Sequence, residues 1–289
     1  MYYVDLAVSG ITFGCRYALM AVGLTLVYGL LRILHIAHAA VYTLGAYVTV
    51  IVANATGSLM LGFLAAVVVA PFAGMAIYRL LYEPLLKYRP DVPMIASLGL
   101  LVLATDAFRL MFGEQGVTLR NNTLAALTYD FAGISLNAVQ IAIVSTAIFV
   151  FVGLHVFTTR TRIGVAWRAT VSNPRIAASF GIDPVKVRYL TFAIGSALAA
   201  IAGGLVALLD NFVDPTIGYV VSYKALAIIV LGGLGSVRGT FIAAIVLGLV
   251  ESFGTIFLGP WLNRDAIAFL ALVVLLMLRP QGFTGRRSI

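Results

Sequence analysis

Residues 59–80 read LMLGFLAAVVVAPFAGMAIYRL, and Arg79 is the only charged residue among them. As a helix rising 1.5 Å per residue, such a run spans the hydrocarbon thickness of a bilayer. Apolar runs of about 18 to 25 residues recur along the whole chain. They do not alternate polar and apolar residues, as the strands of a membrane β-barrel do. The sequence therefore predicts an all-α, polytopic membrane protein that crosses a lipid bilayer.

Composition supports the same class of protein. Hydrophobic residues make up 62% of the 289 residues and charged residues only 10%, whereas soluble domains carry about 25% charged residues. A net charge of +8 on a soluble protein would suggest binding to nucleic acid. In a membrane protein the positive-inside rule explains the excess better, because basic residues collect in cytoplasmic loops. No nucleic-acid partner is expected.

The apolar pattern predicts about eight to nine membrane segments in one transmembrane domain that covers 1–289. Their predicted bounds are 6–31, 36–56, 59–80, 92–113, 135–157, 185–209, 219–234, 237–258 and 262–279. Two of them are predicted to be broken or re-entrant rather than full spans. One is 36–56, which starts near the sequence HIAHAA, and the other is 219–234, which is short and runs into LGGLGSVRG.

Basic residues predict the orientation in the membrane. Three stretches that hold most of them are expected to face the cytoplasm: 79–91, 158–188 and the tail with Arg279, Arg286 and Arg287. Three connections with few basic residues are expected on the outside: 54–58, 114–134 and 209–218. This alternation places the N-terminus outside and the C-terminus in the cytoplasm, and one re-entrant segment would move the N-terminus to the inside.

The connection 158–188 has the pattern of a short, capped helix. Asn173 and Pro174 suit the N-cap and the first helical position, and Gly181 suits the helix stop. Asp183 followed by proline repeats the capped start just before the next membrane segment. Three apolar residues of the short helix are expected to share one face: Ile176, Ala177 and Phe180. Such a short helix needs a partner surface, which is either the lipid headgroups or a cytoplasmic protein.

Several motifs together resemble one family. They are YALMAVGLTLVYGLLRILHIAHAAVYTLGAY (17–47), GVAWRATVSNPRIAASFGIDPVKVRYLTFAIGSALAAIAGGL (164–205), IVLGGLGSVRGTFIAA (229–244) and LRPQGFTGR (278–286). The chain resembles, over essentially its whole length, the permeases of branched-chain amino acid ABC importers of the LivH type. It departs from the family pattern at Arg16, His35 and Ala39, and these departures bear on the choice of substrate.

The resemblance implies an importer subunit in the bacterial inner membrane. Its implied partners are a second related permease, two cytoplasmic ATPases that carry ATP and Mg²⁺, and an extracytoplasmic substrate-binding protein. The chain itself is expected to hold no cofactor, since GGLGSVRGT (232–240) lacks the lysine of a phosphate-binding loop. The residues implied in docking to the ATPase are Arg168, Asn173, Arg175, Ile176, Ala177, Phe180 and Gly181.

Glycine-rich interruptions in two separated parts of the chain point to a translocation path, although close helix packing through small residues is the alternative. The candidate path residues are Arg16, His35, His38, Gly45, Gly233, Gly235 and Glu251. Arg16 lies about 15 Å into the first segment, where a charge is costly and suggests function. It would bind a substrate carboxylate or pair with Glu251 or with the partner permease. His35 and His38 lack a third metal ligand, so packing or capping is expected of them.

Two other classes of protein compete with this interpretation. A stand-alone, ion-coupled transporter would need acids within the membrane, and Glu251 is almost the only deep one. A membrane enzyme would need a cluster of nucleophile, base or metal ligands at one membrane face, and the sequence shows none. The solute stays open between amino acids, amides, urea and organic acids.

Overall fold

The computed structural model describes residues 2–131, 134–278 and 282–283, which are almost wholly helical. The helices are α1 Tyr2–Leu31, α2 His38–Thr56, α3 Leu59–Ile77, a π-helical turn Tyr78–Tyr82, α4 Glu83–Leu85, α5 Asp91–Phe112, α6 Ala138–Arg160, α7 Arg162–Ser172, α8 Pro174–Ser179, α9 Pro184–Asp210, α10 Ile217–Gly232, α11 Val237–Leu258 and α12 Arg264–Leu278. The short strands are β1 Val117–Thr118, β2 Thr128–Phe131, β3 Ile134–Asn137 and β4 Phe212–Val213. The predicted all-α class is confirmed.

Seven helical stretches of the described residues are long and apolar enough to cross a membrane. They are α1, α2, α3 continued through α4, α5, α6, α9 and α11. Helix α10 is apolar but only 16 residues long, and α12 has 15 residues in the described part. Each predicted segment coincides with one of these helices, so the chain is a multi-pass membrane protein.

Helices α1 and α9 form the centre of the bundle. In the most apolar 18-residue window, 83% of α1 and 72% of α9 is buried, against 17% of α6. Small residues allow the central helices to approach closely. A Cβ atom at Gly45 of α2 would lie 2.4 Å from Cα of Ala200 in α9, and one at Gly248 of α11 would lie 2.3 Å from the backbone nitrogen of Gly14 in α1. The backbones are therefore in direct contact at these crossings.

The connections between helices gather at two ends of the bundle. At one end the hydroxyl of Tyr189, in the second turn of α9, donates to Glu83 Oε2 of α4 over 2.8 Å. The connections before α5 and before α9 therefore lie at the same end, and this end, with residues 79–91 and 158–188, is called the basic face. At the other end β1 pairs with β4, and the Asn54 side chain donates to the carbonyl of Thr118; this end is called the opposite face. The membrane orientation of these faces stays a prediction, and the three arginines of the tail lie outside the described residues.

The segment 36–56 is predicted to be broken or re-entrant, but its helix α2 is unbroken and long enough to cross a membrane. The irregular backbone lies just before it, between α1 and α2. After α1 ends, the chain turns back, so that the His38 ring lies beside Gly23, about 12 Å before the end of α1 at 1.5 Å per residue. Ser97 of α5 accepts a hydrogen bond from the backbone N–H of Ile36 and donates to the carbonyl of Met94. The first of these bonds supplies a partner to a backbone group that a helix no longer pairs, which a non-helical segment at membrane depth requires.

Helix α7 and the four short strands lie outside the predicted pattern. Helix α7 fills the first half of the basic connection, where the Thr161 hydroxyl caps it by accepting from the N–H of Gly164. Strands β2 and β3 pair as an antiparallel hairpin before α6. Helix α7 has an apolar side that contacts the bundle, but at 11 residues it is too short to be recognised as a membrane segment.

The close contact of α2 with α9 predicts the effect of enlarging Gly45. We expect Gly45→Val to lower the midpoint of thermal unfolding in detergent, because overpacking costs about 1–3 kcal/mol. Gly99→Val is the matched control, since a Cβ atom at Gly99 of α5 meets nothing within 4 Å. Equal midpoints for the two variants would contradict the assigned packing of α2 on α9.

Candidate functional site

A cavity of 240 Å³ lies between α1, α10, α11 and α12. Five charged side chains line it: Arg16, Lys224, Glu251, Arg264 and Asp265. Charged groups are costly inside a membrane protein and usually face a cavity or pair with one another. This cavity is therefore the part of the described bundle where such charges are concentrated.

Lys224 and Glu251 form the buried centre of this charge cluster. The Glu251 side chain is 0% exposed and that of Lys224 is 7% exposed. The Tyr17 hydroxyl donates to Glu251 Oε2 over 2.6 Å and accepts from Lys224 Nζ over 2.9 Å. Lys224 Nζ also lies 2.7 Å from Asp265 Oδ1 and 3.7 Å from Glu251 Oε1. Helices α1, α10, α11 and α12 are thus tied together by one set of charges.

Arg264 contributes the second cation to Glu251. Its Nε atom lies 3.6 Å from Glu251 Oε1, and its guanidinium group stacks 4.0 Å from the ring centre of Phe13. Such a cation–π contact is worth about 0.5–2 kcal/mol depending on desolvation. Glu251 Oε1 has no hydrogen-bond donor among the described residues, so two cations at ion-pair distance compensate its charge.

Arg16 lies at the edge of the same cavity. Its guanidinium is 3.3 Å from Asp210 Oδ2, at the end of α9, and the two side chains are 23% and 43% exposed. The alternative in which Arg16 pairs with Glu251 is therefore wrong, because Asp210 is its partner. Arg16 and Glu251 nevertheless line one cavity, as two of the seven predicted path residues.

The two predicted histidines lie elsewhere, in the break between α1 and α2. His35 Nδ1 is 2.7 Å from the Tyr82 hydroxyl, and its ring packs 5.2 Å from that of Phe192. The rings of His35 and His38 are 5.8 Å apart, and both side chains are buried. Within the described residues no group of three or more His, Cys, Asp or Glu side chains has a metal-binding arrangement.

The three predicted glycines also lie outside the cavity lining. Gly45 packs on Ala200, as described above. Gly233 and Gly235 form the turn between α10 and α11, with φ of +96° and +85°. A Cβ atom at Gly235 would lie 3.3 Å from Cα of Gly29 in α1, so this turn contacts α1 near the basic face. Whether any of these glycines lines a translocation path stays a prediction.

The short helix on the basic face has the predicted caps. The Asn173 side chain accepts hydrogen bonds from the N–H groups of Arg175 and Ile176 over 3.0 and 3.1 Å. Gly181 has φ of +81°, the left-handed conformation that ends a helix. Asp183 caps α9, and hydrogen bonds from the backbone N–H of Lys186 and of Val185 help to hold the pKa of its carboxyl group below the usual range.

The apolar residues of α8 do not share one surface as predicted. Phe180 is 81% exposed and Ile176 is 56% exposed, but Ala177 is only 2% exposed. Residues 176 and 177 point about 100° apart on a helix, so Ala177 faces the protein while the other two face outward. Arg168 and Arg175 are exposed as well. Helix α7 connects this surface to the bundle, because the Trp167 ring packs against Gly29 of α1.

Five residues of the charged site were not among the candidates: Tyr17, Asp210, Lys224, Arg264 and Asp265. Lys224 could have been found from the sequence, since it is the only charged residue in the predicted segment 219–234. A charge inside a membrane segment suggests function, which is the reason that Arg16 is a candidate. The other four have no such signal, because a tyrosine inside a helix and charges at helix ends are ordinary in membrane proteins.

The fold and the cavity define a multi-pass membrane protein with a charged internal site. The family model described as "Branched-chain amino acid transport system / permease component" matches residues 6–278. The chain is 32% identical to the high-affinity branched-chain amino acid transport system permease protein BraD of Pseudomonas aeruginosa, over 100% of this chain and 97% of that one. It is 30% identical to the corresponding LivH of Escherichia coli K12 with the same coverage.

A further relative carries the name of a different subunit. LivM of Salmonella typhimurium, also named a high-affinity branched-chain amino acid transport system permease protein, is 28% identical over 92% of this chain and 67% of that one. The chain thus belongs to the family of branched-chain amino acid transport permeases. The resemblance noted in the sequence is confirmed, and its relatives are transport permeases rather than enzymes.

The charge cluster predicts a large effect of removing Lys224. We expect Lys224→Met to destabilise the protein by about 3–5 kcal/mol, because removing one partner of a buried ion pair is strongly destabilising and leaves the fully buried Glu251 with Arg264 as its remaining cation. Lys186→Met is the matched control: it removes an 86% exposed lysine that pairs with Asp183 over 3.6 Å, a contact worth about 0–1 kcal/mol. Thermal unfolding in one detergent compares the two, and equal shifts would contradict the role of the cluster.

Proposed function

We propose that this chain is the transmembrane permease subunit of an ABC importer. It moves branched-chain amino acids, or related small polar or carboxylate solutes, into the cytoplasm, and ATP hydrolysis on partner subunits drives the transport. The match of the whole chain to a family of transport permeases carries this proposal. The charged cavity supports it, because a permease needs polar groups inside an otherwise apolar bundle.

The surface of α8 supports docking to an ATPase. Phe180 and Ile176 are large exposed apolar residues, and two arginines, Arg168 and Arg175, flank them. We expect a partner protein, rather than lipid headgroups, to bury this mixed surface. The Asn173 cap at its start and the Gly181 stop after its end fix the helix at both ends, so that it transmits displacement as a rigid body.

The remaining subunits follow from the same proposal. A second, related permease completes the membrane part, which agrees with two differently named permeases, LivH and LivM, among the relatives. Two ATPases bind at the basic face with their ATP and Mg²⁺, and a substrate-binding protein delivers the solute to the opposite face. The basic face, and with it the C-terminus, then lies in the cytoplasm of a bacterium, as the positive-inside rule requires.

One observation favours a second candidate, a stand-alone ion-coupled transporter. Glu251 is a fully buried acid within the bundle, as proton or sodium coupling would need. Lys224, Arg264 and Tyr17 already occupy both of its oxygens at ion-pair or hydrogen-bond distance. This arrangement disfavours binding of a further cation at Glu251 and makes the importer the better proposal.

Purification of the tagged chain in mild detergent, followed by mass spectrometry, tests the importer directly. We expect two ATPases and a second permease to co-purify with the chain. Replacing Phe180 and Ile176 by alanine should remove the ATPases and leave the second permease bound. Phe149→Ala is the control, because Phe149 is 78% exposed but lies within α6. Recovery of the chain alone, in a detergent that preserves such complexes, favours the ion-coupled transporter.

The glycine stop of α8 provides a test of coupling. We expect Gly181→Val to lower ATP-dependent uptake about tenfold, because a β-branched residue at positive φ costs about 1–3 kcal/mol and shifts the end of the docking helix. Gly57→Val is the matched control. Like Gly181, Gly57 has a positive φ, of +71°, and open space where a Cβ atom would lie. Unlike Gly181, it lies at the opposite face. Uptake in proteoliposomes, normalised to inserted protein, should fall in the first variant only.

A further inference from the structure

The charges at the cavity belong to two groups with different surroundings. The Lys224 group lines the cavity, whereas in the pair of Arg16 and Asp210 only Arg16 does, and Asp210 contacts it from the end of α9. The Lys224 group is closed, since its lysine, glutamate and tyrosine contact one another deep in the bundle. The pair of Arg16 and Asp210 is partly exposed and is held by one hydrogen bond of 3.3 Å. Of the five N–H donors of a guanidinium group, the others of Arg16 have no side-chain acceptor within the described residues. This pair is therefore the part of the site that can exchange partners.

An apolar wall lies next to Arg16 in the same cavity. Met20 of α1 and three β-branched residues of α10, Ile217, Val220 and Val221, line the space beside the guanidinium group. A cavity of 240 Å³ is well above the roughly 10–15 Å³ that a single water molecule needs on the same measure. This space accommodates one small solute that has a charged end and an aliphatic end.

We infer that Arg16 and Asp210 form a binding site, within this single chain, for a zwitterionic α-amino acid with an aliphatic side chain. The carboxylate binds the Arg16 guanidinium group in a bidentate manner, and the ammonium group binds the Asp210 carboxylate. The side chain packs on the wall of Met20, Ile217, Val220 and Val221. This inference rests on the proposed function and assigns its solute a place.

Charge balance explains why a zwitterion fits and its relatives do not. A zwitterion inserts between the two partners of an ion pair and leaves both of them paired. A carboxylate without an amine would occupy Arg16 and leave Asp210 without its partner, and an amine without a carboxylate would do the reverse. An unpaired charge at a partly buried position weakens binding strongly, so the pair selects for the presence of both groups.

Binding of radiolabelled leucine to the purified full-length chain in lipid nanodiscs tests the site. We expect saturable binding that Arg16→Gln and Asp210→Asn each weaken at least about tenfold, which corresponds to the loss of one charge-assisted contact. Arg109→Gln is the matched control, because it breaks the exposed pair of Arg109 with Asp106, which also has an N–O distance of 3.3 Å. The control should bind leucine as the unmodified chain does.

Competition on the unmodified chain tests the same inference without a substitution. We expect 4-methylpentanoate, which lacks the amine, and 3-methylbutylamine, which lacks the carboxylate, to displace leucine at least about tenfold less well than unlabelled leucine. Val220→Trp should weaken the binding of leucine more than the binding of alanine, because the larger side chain narrows the aliphatic end of the cavity. These two readouts decide the question even where Arg16→Gln does not yield folded protein.

The inference is overturned if the unmodified chain binds no leucine saturably, if Arg16→Gln binds leucine as tightly as Arg109→Gln does, or if either analogue competes as well as leucine. The measurement uses neither ATP nor ATPases. If leucine does not bind but ATPases co-purify with the chain, the amino-acid site is therefore refuted and the importer proposal stands. Saturable, Arg16-dependent binding with no ATPase in the complex keeps the site and removes the importer.

Discussion

The structure depends on one constraint: inside an apolar bundle, each backbone polar group and each charge must find its partner within the protein. The break between α1 and α2 satisfies it with Ser97, which bonds the freed N–H of Ile36, and with the bond between His35 and Tyr82. The charged cavity satisfies it with a set of ion pairs. Both departures from an apolar helical bundle lie beside α1, the most deeply buried span.

Helix α1 also connects the two regions to which function is assigned. Arg16, in its first half, lies at the cavity, and Gly29, near its end, contacts both Trp167 of α7 and Gly235 of the turn before α11. These contacts are close, because both glycines leave no side chain between the packed groups. Close-packed contacts transmit displacement with little compression, so the position of α7 on the basic face and the position of α1 at the cavity depend on each other.

The sequence predicts the helices well and the site only in part. Long apolar runs, the caps at Asn173 and Asp183 and the glycine stop at Gly181 are local signals, and the structure has them where they are expected. The partner of Arg16 is 194 residues away, and no local pattern identifies it. The apolar pattern of α8 predicts one face for Ala177 and Phe180, whereas the burial of Ala177 follows from how α8 packs on the bundle rather than from its own sequence.

The charge cluster is better explained by function than by stability. Replacing a buried ion pair by well-packed apolar residues is often neutral or stabilising by about 1–4 kcal/mol, because desolvation offsets the Coulomb attraction. Glycine contacts such as those of Gly45 and Gly248 already hold the bundle together, so a well-packed apolar pair in place of both Lys224 and Glu251 would also be compatible with the fold. Their charges line the same cavity as Arg16, and in the proposed permease they would keep this space polar.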